Sequence, residues 1–432
     1  MNSNCEVSQA VRDTQGSENT SEQHSKKSVK LIKHGEWNFE YNPKQNVFSS
    51  SVESFEKSLF EQSSMVAEYS DRTKLTEKDL EDFRRASLIH KIARKKALSM
   101  LYTGARLADL VDAVEDIILK MCRQDPKTYY LKGSPKDNNS GLAFPVGVNI
   151  NNVVAHDSKT ISQNGKVDSR VFFKGEVVKI DIGVHINGRI IDSAFTHIVT
   201  DKPGVHDSEN IYNSVLEASR DSMFNAIKMA GPDQRLDEMS ECIDEIIRSY
   251  EVTMGNDGAT IPIRPVKGIG GHNIKQYRIH GGKLILSEPD YDIQGDTRME
   301  EDEIYAIETY ATTGMGVMTQ NTELNACTHF MEENKEVIES NKKITKKDKK
   351  FFRDTELYGW LQTRQGLPFS SSWIDLKSIH RVDKAFKLGI PSGQMLAYPP
   401  LFDENNSVVA QFEHTIHVNP NSVEILSLGE DY

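Results

Sequence analysis

The sequence predicts an α+β domain made of two similar halves. Amphipathic helix pairs occur twice along the chain, and each pair gives way to short β-rich runs. A further observation places chemistry on that frame: acidic residues interrupt β-rich runs that are otherwise apolar.

Composition sets the outer bounds. The 432 residues carry 52 Lys+Arg against 64 Asp+Glu, a net charge of −12, which argues against global attraction to nucleic-acid phosphates or anionic lipid. No DNA and no membrane partner is therefore expected. Apolar residues at 37% and charged residues at 27% make a globular chain, long enough for a large core in two or more lobes. Cys5, Cys122, Cys242 and Cys327 lie far apart with no CxxC, so neither a zinc ribbon nor a disulfide framework is indicated. The first residues lack the apolar run of a secretory signal, and no stretch approaches the roughly 20 apolar residues of a membrane span. The expected location is the cytoplasm.

Residues 1–30 are Ser, Asn, Gln, Glu and Lys with almost no apolar periodicity, and are expected to be a disordered tail. Residues 31–75 carry Trp37, Phe39, Tyr41, Phe48, Phe55 and Leu59–Phe60 and are expected to form an arm packed on the main domain, 76–432. Thr76, followed by Glu77 and Asp79, is a helix N-cap with an acidic first turn. Leu80, Phe83, Ile89, Ile92, Ala93, Ala97 and Leu101 then recur at helical spacing up to Gly104. Leu107 to Met121 repeat the pattern, and strand-like runs follow to about Thr200. In the second half, one helix runs from Ile211 to Gly231-Pro232 and its partner spans Leu236–Ile247. Strands follow, including Ile304–Tyr310. Residues 315–395 break the scheme with a basic run, Lys342, Lys343, Lys346, Lys347, Lys349 and Lys350, and a helical pattern over Ile374–Leu388. This reads as a mostly helical insertion before the last strand run, Ser407–Val418.

Asn187-Gly188 joins two β-rich runs, a strong hairpin signal because a type I′ turn needs positive φ at both positions. Ile186 then faces Arg189, and Asp192 faces Gly183. Gly183 shares a face with Asp181, so Asp181 and Asp192 are diagonal neighbours roughly 7–8 Å apart. Three readings exist: a solvated face, an acid dyad sharing a proton, or a hard-cation site. The flanking isoleucines weaken the first. Glu308 and Glu413 repeat the anomaly in apolar strands of the other half. A lone strand Glu usually faces solvent; two in corresponding positions make chance a poorer explanation. His272 and His280 lie eight residues apart between glycine pairs, each by itself more often a structural histidine than a ligand. His156 is weak taken singly. If Asp181, Asp192, His272, Glu308 and Glu413 converge, four carboxylates with a neutral imidazole balance two divalent cations, and such a pair can activate a bridging water.

At these residues the chain resembles the methionine aminopeptidases, specifically type 2. The blocks are Phe144-Pro145, Asn151-Asn152 with Ala155-His156, Lys179-Ile180-Asp181 through Asp192, Gly271-His272 with Gln276 to His280, Tyr305 to Thr309, Tyr398-Pro399-Pro400 and Ala410 to Ile416. The likeness covers about residues 75–432. It implies the two-fold pseudosymmetric "pita-bread" fold and the five ligands just named, holding two divalent cations: cobalt, manganese, iron or zinc. The 105 positions from Glu308 to Glu413 imply type 2, with a winged-helix-like subdomain as the insertion. His156 matches the histidine beside the scissile bond, which epoxide inhibitors attack in this family, and His280 the one that contacts the substrate carbonyl or amide. Phe144, Ile279, His329 and Tyr398 match a methionine side-chain pocket.

The implied reaction is removal of the N-terminal methionine from nascent proteins with a small second residue, with Glu308 moving a proton from water to the leaving amine and the two histidines stabilising the tetrahedral species. Ribosome association and a monomeric state go with that expectation. The chain departs from the family pattern in a longer polar segment, Ser158–Ser169, in Gly282 where alanine is common, and in lacking long polybasic and polyacidic N-terminal blocks. A non-catalytic homologue of the same fold that binds RNA or ribosomes is the main alternative; such proteins have lost ligands that are all present here. A proline-specific peptidase would carry an additional N-terminal domain and different blocks, and a purely structural module needs no such ligand set. The Lys342–Lys350 run is most simply a solvated segment; its functional version is contact with ribosomal RNA. The chain has no GxxxxGK[ST], HExxH or GxSxG, and Gly268-Ile269-Gly270-Gly271 opens onto His272 rather than a helix, so it is not a dinucleotide loop.

Overall fold

The computed structural model describes residues 74–124, 139–161, 166–254, 258–320, 326–333, 356–374, 389–390 and 393–429. The expected tail, nearly all of the arm, the Lys342–Lys350 run and most of the Ile374–Leu388 helix lie outside them.

Helix α1, Glu77–Leu98, starts where the sequence places it. Thr76 Oγ1 accepts from Asp79 N at 3.3 Å and Asp79 Oδ2 accepts from Thr76 N at 2.8 Å, a reciprocal cap that satisfies two otherwise orphaned donors. Its inward stripe is Phe83, Ala86, Ile89, Ala93 and Ala97. The end differs from expectation. The helix stops at Leu98, capped by Ser99, and Gly104 at φ 87° shapes the loop into α2, Leu107–Met121.

Strands β1 (Ser140–Leu142), β2 (Gly147–Ile150) and β3 (Val153–Ala155) lead to the long hairpin β4 (Val177–Ile186) and β5 (Arg189–Ile198). β4 pairs with β5 along one edge and with β2 and β1 along the other, all antiparallel. α1 packs against β4 and β5. The second half repeats this order: α3 (Asn213–Met229), α4 (Leu236–Arg248), β6 (Glu251–Met254), β7 (Ala259–Pro262), β8 (Arg264–Pro265), β9 (Gly270–Ile274), β10 (Leu284–Leu286) and the short α5 (Tyr291–Gln294). β11 (Ile304–Thr312) then lies between β9 and the last long strand.

Next come β12 (Thr319–Gln320), β13 (His329–Glu332), α6 (Glu356–Arg364), β14 (Phe369–Ser370), β15 (Met395–Tyr398), β16 (Leu401–Phe402), β17 (Val409–Val418) and β18 (Val423–Ile425). Sheet two runs β10-β9-β11-β17-β18, with α3 against β11 and β17.

The two halves meet at β5 and β17 through hydroxyl groups. Thr415 Oγ1 accepts from Asp192 N at 2.8 Å and donates to Asp192 O at 2.6 Å. Ser193 Oγ donates to Glu413 O at 2.6 Å, and Thr196 Oγ1 donates to Gln411 O at 2.6 Å while accepting from Gln411 N at 2.8 Å. Side chains thus complete polar groups that the backbone ladders leave open at the seam.

Among the described residues, the segment between β11 and β17 carries a small antiparallel sheet beside a helix. β13 pairs with β14 and β15, and helix α6 accompanies this small sheet. Two-residue and four-residue strands are too short to register as a period in sequence. Phe330 faces Phe369 across the pair, and Trp360 packs edge-on against Phe369 at 5.3 Å between centroids. Arg364 fastens this unit to the main domain, its Nη2 donating to Leu142 O at 2.9 Å and, within the unit, to Pro368 O at 2.7 Å. Trp373 Nε1 donates to Glu115 Oε1 of α2 at 2.9 Å.

Candidate active site

Asn187 at φ 50° and Gly188 at φ 74° form the tight turn that the Asn-Gly pair predicts. The register follows: Ile186 pairs with Arg189, and Gly183 with Asp192. Asp181 and Asp192 therefore project from the same face. On the other half, Glu308 of β11 stands directly opposite Glu413 of β17. His272 of β9 pairs with Ala306, two residues before Glu308 and hence on its face. Like charges facing each other across a ladder are destabilising unless something neutralises them.

The five side chains converge. Ligand atoms of Asp192, His272 and Glu413 lie within 4.8 Å of one another. His272 Nε2 is 3.7 Å from Asp192 Oδ2 and 3.9 Å from Glu308 Oε1. Asp181 joins through Gln411, whose Nε2 donates to Glu308 Oε2 at 3.1 Å and reaches Asp181 Oδ2 at 3.4 Å. Tyr310 O–H also donates to Glu308 Oε2, at 2.6 Å. Neither Tyr310 nor Gln411 was singled out from the sequence. Each lies two residues from a glutamate in a strand, so period-two spacing was the signal available for both.

Burial dominates the electrostatics. It pushes Asp181 up to about 7 against the pull of the Gln411 hydrogen bond. Burial raises Glu308 to about 8, opposed by Tyr310 and assisted by the charge of Asp181. Asp192 and Glu413 are likewise held well above the usual carboxylate range, by burial first and then by neighbouring carboxylates. His272 is held well below its ordinary range by burial, with His280 adding to it, and so is neutral. Four oxygen donors that resist joint ionisation, one neutral imidazole and a buried Asp181 Oδ1 with no hydrogen-bond partner fit hard or borderline divalent cations.

A pH dependence follows. Asp181 and Glu308 hold protons in the fold at pH values where the unfolded chain has lost them. Their contribution to stability is complete below about pH 4 and disappears as pH rises through about 7 and 8. After chelation, the protein's melting temperature should fall from about pH 5.5 to about pH 8, and added divalent metal should raise it more at the higher pH. Equal metal-induced shifts at both would contradict this account.

The cluster lines a cavity of about 260 Å³. Phe144, His156, Ile279, His280, His329 and Tyr398 line the same cavity, so every site residue named from the sequence faces one space. His280 packs edge-on to His272 at 4.2 Å between centroids. His156 stands 5.8 Å from His329 and 5.6 Å from Tyr398. Burial lowers His156 to about 4 and His329 to about 3, and lowers His280, so these rings are neutral near pH 7. Gly183 makes room for Phe144: a Cβ there would lie 2.3 Å from the ring. Further wall comes from Ile269, Leu286, Met318 and Leu401, apolar residues that carried no motif in the sequence.

The model of metallopeptidase family M24 matches residues 81–350. Methionine aminopeptidase 2 of Komagataella phaffii is 35% identical over 81% of this chain and 70% of its own length. The chain belongs to metallopeptidase family M24, among the methionine aminopeptidases of type 2. The M24 membership extends to a second relative, methionine aminopeptidase 2 of Encephalitozoon intestinalis, 35% identical over 82% of this chain and 88% of the other. The M24 fold recurs in solved structures. A thermophilic Arx1 superposes with TM-score 0.63 at 15% identity, covering 82% of this chain and 91% of that one. Methionine aminopeptidase from Thermotoga maritima gives 0.50 at 19%, covering 83% and 99%. Like its M24 relatives this chain is a metallopeptidase by family, which implies divalent metal ions. Among the described residues no helix is long and apolar enough to cross a membrane.

Proposed function

We propose that this protein is a metal-dependent aminopeptidase that removes the N-terminal methionine from nascent polypeptides whose second residue is small. The observation that carries the reading is the facing pair Glu308 and Glu413, which lines an apolar-walled cavity together with Asp181, Asp192 and His272. Those five residues would hold two divalent cations. Such cations would supply Lewis acidity and lower the pKa of a water in the site.

The chain's own groups do the rest. Glu308 Oε2 is committed to Tyr310 and Gln411, which leaves Oε1 to take a proton from water and pass it to the leaving amine. His156 and His280, both neutral, donate hydrogen bonds to the oxygen that gains charge as the carbonyl is attacked. Phe144, Ile279, His329 and Tyr398 enclose the unbranched thioether side chain and exclude water from it. The protein would act as a monomer in the cytoplasm, without DNA or membrane.

Release of free methionine from Met-Ala-Ser and from a Met-Val peptide tests this. After chelation and metal add-back, Met-Ala-Ser should be cleaved efficiently and the Met-Val peptide at least about tenfold more slowly, a difference of about 1.4 kcal/mol. Cleavage that survives exhaustive chelation would sink the proposal. Comparing cobalt, manganese, iron and zinc in the add-back ranks the candidate ions.

A further inference from the structure

His156 enters the cavity from a left-handed backbone conformation, φ 67°. For a residue other than glycine this conformation costs on the order of 1–2 kcal/mol and persists only where the surroundings impose it. The next residue is held from every side. Asp157 N donates to Asn149 Oδ1 at 2.9 Å, and Asp157 O accepts from Val148 N at 2.9 Å. Its carboxylate accepts Ser158 N at 2.8 Å and both terminal nitrogens of Arg170, Nη2 reaching Oδ1 at 3.1 Å and Nη1 reaching Oδ2.

The same guanidinium turns to three further oxygens. Arg170 Nη2 donates to Ser158 O at 2.8 Å and Asp168 Oδ2 at 2.7 Å, and Nε donates to Asp168 Oδ1 at 3.2 Å. Asp168 in turn receives Thr160 N at 3.3 Å and Arg170 N at 2.9 Å. Leu107 N, at the start of α2, donates to Arg170 O at 3.0 Å and ties the assembly to the core. Asp157 is 6% exposed and Asp168 8%. These contacts tie Thr160 and Asp168, from the polar stretch that the methionine aminopeptidase reading leaves without a role, to the backbone directly after His156.

We propose that Asp157, Arg170 and Asp168 form a clamp that positions His156. It holds the left-handed turn, and with it the direction of the imidazole, against relaxation to an ordinary β conformation. Arg170 is the centre of the clamp because only a planar fork of donors spans two carboxylates and a carbonyl together; lysine cannot. The proposal rests on the reading that His156 contacts the substrate.

The test is a double-mutant cycle on the full-length, metal-loaded protein with Met-Ala-Ser as substrate. Arg170→Ala and Arg170→Lys should each lower kcat about tenfold with KM within about twofold, the signature of a displaced group rather than lost binding. In a His156→Ala background, Arg170→Ala should change the residual kcat by less than about twofold. Millimolar guanidinium should restore part of kcat to Arg170→Ala, and none when His156 is also absent. If Arg170→Ala does not fold, the isosteric Asp157→Asn runs the same cycle. An equal loss in both backgrounds overturns the clamp and leaves the role of His156 standing. Full activity of His156→Ala itself removes the reading on which the clamp rests.

Discussion

Replacing Glu413 with alanine is expected to lower methionine release by about 10³-fold or more, roughly 4 kcal/mol of transition-state stabilisation. Glu413 is 1% exposed, stands opposite Glu308 and lies within ligand distance of Asp192 and His272. Its removal takes away one anionic oxygen donor and leaves the remaining carboxylates to adjust their protonation. After chelation the change should cost less stability than it does in the loaded protein, because burial and the neighbouring carboxylates then hold the Glu413 carboxyl protonated and it makes no anionic contact to lose. The loaded protein should lose most of its metal-dependent rise in melting temperature. Metal content by mass spectrometry and unfolding curves with and without chelator separate these effects. Full activity with two ions retained would refute the ligand assignment.

Gly183→Ala is expected to raise KM for methionyl substrates at least about tenfold and to destabilise the fold by about 1–3 kcal/mol. The added Cβ would meet three Phe144 ring carbons at 2.3, 2.4 and 2.8 Å, closer than van der Waals contact allows. The backbone there is poorly able to retreat, since Gly183 pairs with Asp192 and Gly183 O accepts from Ala143 N at 2.9 Å. The ring is then expected to move into the cavity it lines, the one proposed above to take the methionine side chain. Shortening it, as in the pair Gly183→Ala with Phe144→Leu, should recover part of the affinity. Unchanged KM and melting temperature in the single variant would show that the ring has another place to go.

Local rules carried the sequence reading a long way. Asn187-Gly188 gave the register of the first hairpin because a two-residue loop leaves no freedom. Helical periodicity gave four helices, and Thr76 gave the start of the first. What stayed hidden depends on contacts between distant residues. Gly183 against Phe144, Tyr310 and Gln411 on Glu308, and the hydroxyls of Ser193, Thr196 and Thr415 across the seam have no local signature. The convergence of His272 with Asp192 was likewise inferred from a family likeness and not from spacing, which is silent about how the two sheets meet. The small sheet around β13 leaves no pattern in the sequence because its strands are shorter than one period-two pattern needs.

The seam between β5 and β17 also sets an order of events in synthesis. Asp181 and Asp192 leave the ribosome early, and Glu413 arrives on a strand more than two hundred residues later. Until that strand docks, the early carboxylates have neither their opposing partners nor the hydroxyls that align them. A growing copy of this chain thus has an incomplete ligand set until its last long strand is made and docked.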